Sequence, residues 1–141
     1  MIHVSLHDDA SADLEAHRVV DPAAVADMAV FLQEAKGAGD RVADVLTTTG
    51  DVGLGRVRLN VKEWRSAQGM RRGPNLWRLR ILDSPATMYR LIFGYHYQTR
   101  QLVVLAILRK KADGTFEADF DYDNLNSPIA RRILAAWNGL A

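Results

Sequence analysis

Apolar and polar positions alternate most regularly between residues 75 and 111, NLWRLRILDSPATMYRLIFGYHYQTRQLVVLAILRKK. Three apolar runs, 76–82, 88–97 and 102–108, are rich in β-branched and aromatic residues. Asp83, Ser84 and Pro85 break the first from the second, and residues 98–101 break the second from the third. Both breaks are short enough for hairpins, so the spacing predicts an antiparallel meander of three strands. In the first strand Trp77, Leu79 and Ile81 alternate with Arg78 and Arg80. A period of two puts the apolar set on one sheet face and both arginines on the other. The second strand repeats the device, with Tyr89, Leu91 and Phe93 opposite Arg90. The third is apolar on both faces, as a strand buried inside a sheet should be, and runs into Arg109, Lys110 and Lys111. Such a sheet packs helices on one face and offers cations on the other.

Upstream, residues 2–6 read as a short strand, and Asp8 and Asp9 offer caps for a helix over 10–17. Asp21 followed by Pro22 is a stronger start signal and predicts a helix over 22–36, stopped by Gly37. Its expected apolar stripe is Val25, Met28, Ala29 and Leu32. A third helix begins near Asp40 with Val42, Val45 and Leu46 inward. GDVGLG at 50–55 fits neither the dinucleotide nor the P-loop spacing and reads as a turn. A strand at 57–61 and one helical turn around Trp64 lead to the meander. Residues 116–122 read as a last strand. A helix then runs from Ser127 and Pro128 to Trp137, with Ile129, Ile133, Leu134 and Trp137 on its apolar side. The expectation is an α+β fold over residues 1–141, one domain, with N-terminal helices on one face of a mostly antiparallel sheet of four to five strands. A C-terminal helix completes it.

The net charge of +1 conceals a segregation. Residues 1–55 hold three basic against ten acidic side chains, a balance of −7. Residues 56–111 hold thirteen Arg or Lys against Glu63 and Asp83, a balance of +11, and residues 112–141 hold two against five, a balance of −3. A block this basic within a neutral chain points to a face for polyanions. The absence of cysteine excludes disulfides, thiol nucleophiles and Cys-ligated zinc, and fits a reducing cytoplasm. The longest wholly apolar run is too short for a membrane span, and the N-terminus lacks a signal-peptide pattern. Asp119, Asp121 and Asp123 alternate, but Asn124 and Ala130 stand where a calcium loop has glycine and glutamate, so no metal is expected. His3, His7 and His17 form no metal pair and read as surface residues.

LWRLRI, MYRLIF and LVVLAILRKK, in this order and spacing, resemble the sheet of the RelE/ParE superfamily of bacterial toxins, closest to its HigB-like, often phage-borne branch. The resemblance implies a toxin-like endoribonuclease that cleaves mRNA at the ribosome without metal or cofactor and is held in check by a protein antitoxin. In that chemistry the ribose 2′-hydroxyl attacks the adjacent phosphate. Cations must hold the phosphate, a base must take the hydroxyl proton, and an acid must protonate the leaving oxygen. Carried across, Arg78, Arg80, Arg90, Lys110 and Tyr122 become the catalytic candidates, with Arg65, Arg71, Arg72, Arg109, Lys111 and His96 as RNA-binding residues. Arginine suits the phosphate, because its planar fork holds two oxygens at once, but it is a poor base because it stays protonated. Tyr122 is the expected proton-transfer residue. Plainer readings are a structural ion pair for Arg90 with the acidic helices, and ordinary aromatic packing for Tyr122. Two other functions fit the same resemblance or charge: a ParE-like gyrase inhibitor, and a nucleic-acid-binding module without catalysis.

Overall fold

The computed structural model describes residues 1–69 and 74–140. Six strands form one sheet: β1 (His3–Leu6), β2 (Gly50–Leu54), β3 (Val57–Glu63), β4 (Leu76–Ile81), β5 (Tyr89–His96) and β6 (Gln101–Arg109). Their spatial order is β1-β6-β5-β4-β3-β2. The helices are α1 (Asp8–Val20), α2 (Pro22–Gly37), α3 (Arg41–Leu46), α4 (Arg65–Gln68) and α5 (Pro128–Asn138). The predicted meander is present as β4, β5 and β6, antiparallel throughout. The sheet is wider than the expected four to five strands, and it is mixed, because β1 lies parallel to β6. No helix among the described residues is long and apolar enough to cross a membrane.

The extra edge strand is β2, which corrects the reading of GDVGLG as a turn. Only Val52 and Leu54 carry its apolar alternation, and glycines hide the period. Pairing with β3 along Gly50↔Val61 to Leu54↔Val57 supplies what local propensity does not. The turn is Gly55 and Arg56 alone. Gly55 has φ +57, as the first central position of a two-residue hairpin turn can require. At the other end, residues 116–122 do not form a strand. One bridge, Lys110↔Phe116, is made, and Phe116, Phe120 and Tyr122 turn inward to pack edge-on with one another, Phe120 and Tyr122 also against Trp64. Aromatic burial against the sheet face outweighs extension of the ladder there.

The two sheet faces separate as the alternation predicts. Trp77, Leu79, Ile81, Tyr89, Leu91 and Phe93 join α1, α2 and α3 in one core. Asp21 caps α2 by accepting from the Ala24 N–H at 3.2 Å, with Pro22 in the first turn. The buried side of α2 is Ala24, Val25, Met28, Phe31 and Ala35; Ala29 is exposed and Leu32 marginal. The helix is apolar almost all round, so the position where Phe31 fits decides its rotation. His7, not an aspartate, caps α1, its Nδ1 accepting from the Asp9 N–H.

The opposite face carries a second core: Leu76, Ile92, Leu105, Ala106 and Leu108 meet Trp64, Phe116, Phe120, Ala130 and Ile133. Thus α5 and the segment before it cover part of the face turned away from the N-terminal helices. A bulge helps. The register passes from Ile92↔Ala106 to Phe93↔Val104, leaving Leu105 as an extra residue, and both Leu105 and Ala106 join this second core. Gly94 lets the Trp137 ring lie flat on β5, since a Cβ there would stand 2.5 Å from Trp137 Cζ3.

Beyond its pairing with β1, strand β6 would expose a free edge. α1 closes it: Asp13 accepts from the Ile107 N–H at 3.0 Å, and His17 Nε2 lies 2.7 Å from the Ile107 carbonyl. Arg132 on α5 donates to the same Asp13 carboxylate at 2.7 Å, joining the two covers around the sheet. His17 is therefore a half-buried structural residue rather than the surface histidine expected.

Candidate anion-binding site

The second cover leaves the front of β3 and the outer parts of β4 and β5 open. On that area the alternation of β4 exposes Arg78 and Arg80, and that of β5 exposes Arg90. Strand β3 uses the same device: Leu59 and Val61 enter the core while Asn60 and Lys62 face forward, in register Asn60↔Arg80 and Lys62↔Arg78. Lys110, just past β6, hydrogen-bonds through its N–H to the Met88 carbonyl and stands with its ammonium 5.3 Å from the centre of the Phe116 ring. These residues line one cleft of about 140 Å³: Asn60, Lys62, Arg78, Arg80, Arg90 and Lys110, with Leu79 as its floor.

Among the described residues no carboxylate lines it. Among the described residues none of these five cations is within ion-pair distance of an acid. Glu63, the nearest acid in sequence, ends β3 opposite Trp77 and lines the neighbouring cleft rather than this one. The arrangement is self-repulsive until an anion enters. Lys110 records this: burial lowers its pKa first, and Arg90, Arg78, Lys62 and Arg80 lower it further. Arg90 is likewise lowered, first by burial. Arg90 makes no ion pair with the N-terminal helices. It donates instead to the carbonyls of Thr87 at 2.9 Å and Tyr89 at 3.1 Å, which fixes one edge of its guanidinium.

Tyr122 is beside the cleft but not in it. The Arg78 Cζ lies 4.1 Å from the centre of its ring. The Tyr122 hydroxyl and the Arg78 Nε are both buried without a hydrogen-bond partner, and the contact between the two side chains is the guanidinium over the ring. Burial pushes the phenol pKa up, against the pull of Arg78 and Arg90. A hydroxyl so enclosed holds its proton, and the ring acts as the platform that sets the plane of Arg78.

Other expected residues are dispersed. Arg109 falls on the helix-covered face, paired with Glu117 and 5.9 Å from the Tyr89 ring centre. Lys111 is exposed beyond the end of β6 and does not line the cleft. His96 lies under α5, its ring 5.4 Å from that of Trp137. Arg65 lines a neighbouring cleft. Arg71 and Arg72 lie outside the described residues. Among the described residues Asp119, Asp121 and Asp123 form no group that could hold a metal ion. Sequence reasoning missed Lys62 and Asn60, although VRLNVKE carries the same alternation that revealed Arg78 and Arg80.

No protein family matches the chain, and no curated protein or solved structure matches it either, so fold and site stand on their own geometry.

Proposed function

We propose that the protein is a metal-independent endoribonuclease of the toxin type, acting on mRNA at the ribosome and restrained by an acidic antitoxin segment. The single observation that carries this reading is the cleft of Lys62, Arg78, Arg80, Arg90 and Lys110 without a lining carboxylate. Cations fixed before the substrate arrives favour the extra charge of a pentavalent phosphate, commonly the largest contribution to such catalysis. Arg78 on Tyr122 and Arg90 on two carbonyls are held in place; Lys62 is exposed and adapts. Lys110 is the proton-transfer residue, because its lowered pKa lets an amine exist where an arginine cannot give up a proton. In the reaction the 2′-oxygen forms a bond to phosphorus while the bond to the 5′-oxygen breaks. The 2′-hydroxyl proton passes to Lys110, and the leaving oxygen takes a proton from solvent or from the recharged lysine. An acidic antitoxin would be drawn to the same cleft, since complementary charge speeds encounter and fixes register.

The enclosed Tyr122 hydroxyl favours a second reading, a nucleic-acid-binding module on the same face that does no chemistry. The deciding experiment measures mRNA cleavage in a translating extract beside gyrase supercoiling, with wild type and Arg90→Ala. Cleavage by wild type and none by a folded Arg90→Ala supports the nuclease. Binding without cleavage leaves the binding module, and inhibited supercoiling replaces both with a ParE-like gyrase poison.

A further inference from the structure

A second cleft, about 410 Å³, opens on the other side of the pair Lys62 and Arg78. It is lined by Thr49, Trp64, Arg65, Ser66, Tyr122 and Asp123 in addition to that pair and Glu63. Because Lys62 and Arg78 border both clefts, a nucleotide whose phosphate sits among the cations has its base within reach of this one. The size is right for a base and its sugar. Its walls suit a planar ring: the Arg78 guanidinium carbon stands 4.1 Å from the centre of the Tyr122 ring, and Arg65 stands at the exposed rim. Single-stranded RNA bases are held in this manner, by stacking on planes and by hydrogen bonds along the Watson–Crick edge.

The polar groups choose among bases. Ser66 donates its hydroxyl hydrogen to Asp123 at 2.7 Å, which ties α4 to the segment before α5 and orients the carboxylate. With that hydrogen spent, both Ser66 Oγ and Asp123 are left as acceptors, and Asp123 makes no ion pair among the described residues. Beside them stand the cations Lys62 and Arg65. We infer that this cleft is a nucleobase subsite selective for guanine. Guanine presents two adjacent donors, N1–H and the N2 amino group, to one carboxylate, and its O6 is an acceptor for a neighbouring Lys or Arg. Adenine and cytosine offer one amino donor beside a ring acceptor. Uracil offers a single donor, N3–H, between two carbonyls that repel the carboxylate, and fits worst.

The inference rests on the RNA reading above, and one titration separates the two. Four short RNAs, 2′-O-methylated so that they are not cut, carry G, A, C or U at a single position flanked by abasic sites, and their affinities are measured by fluorescence anisotropy at two salt concentrations. The expected result is binding that weakens with salt, with the guanine RNA about tenfold tighter than the uracil RNA. Asp123→Asn, whose amide both donates and accepts, should erase that preference by improving uracil as well as weakening guanine; Ser66→Ala, which frees the carboxylate, should reduce it less. Equal affinity for all four bases with salt dependence intact overturns the subsite and spares the phosphate cleft. A guanine preference that survives a folded Asp123→Asn also overturns it. No salt-sensitive RNA binding at all overturns the RNA reading together with the subsite.

Discussion

At the scale of single residues, the environment separates side chains that look equivalent in the sequence. Arg109 and Lys110 are neighbours, yet alternation sends Arg109 to Glu117 and the Tyr89 ring while Lys110 joins the cation cleft. Tyr122 and Lys110 exchange roles for a similar reason. Burial raises the phenol and encloses its hydroxyl, whereas burial and four cations lower the ammonium. A base works in its deprotonated form, so a lowered pKa makes the free amine available at lower pH. Cleavage should therefore rise with pH and level off below the ordinary lysine range of about 10.4. Lys110→Arg keeps the charge but cannot release a proton. It should reduce single-turnover cleavage about 10²–10⁴-fold and remove that ascending limb. A variant profile that superimposes on wild type would take Lys110 out of proton transfer.

At the scale of elements, stability depends on how the sheet edges are closed. β1 pairs with β6 only as far as Leu6↔Val104, and beyond it Asp13 of α1 serves both the Ile107 N–H and Arg132. Asp13→Ala would leave a backbone donor without an acceptor and the half-buried Arg132 with only Asp9, 3.8 Å away, at a cost of about 2–3 kcal/mol. Asp13→Asn keeps an acceptor for the N–H and should lose less. Urea unfolding reads this as a lowered midpoint at unchanged slope; a wild-type midpoint for Asp13→Ala would show that α1 does not hold this edge. Pattern alone identified the three strands of the meander, the strands at 2–6 and 57–61, the N-terminal helices and the proline-led starts of α2 and α5. GDVGL carries too few side chains to show a period, and the aromatics of 116–122 alternate with aspartates whether they extend or fold over.

At the scale of the whole molecule, the acidic N-terminal block and the basic block occupy opposite sides of one sheet. The acidic N-terminal helices cover the back, and the basic block supplies the open part of the front. Affinity for single-stranded RNA should fall by about 0.7 log unit per tenfold rise in salt for each phosphate neutralised, so two or three phosphates give a slope of about −1.4 to −2.1. Anisotropy titrations over a salt series measure it, and a flat dependence would remove the electrostatic basis of the proposed function. The sequence by itself determined which residues alternate, where α2 begins, which face of β4 and β5 is apolar and that positive charge gathers in residues 56–111. These are properties of nearest and next-nearest neighbours, and the backbone period of two or 3.6 converts them directly into faces. Only the tertiary structure decided that β1 joins β6 in parallel, that β2 is a strand, and that α5 covers part of the front. It alone decided that Lys62 and Lys110 complete the cleft while Arg109 and His96 leave it. Each of those outcomes pairs segments distant in the chain, where the stabilisation comes from burial and register between partners and leaves no local trace in either one.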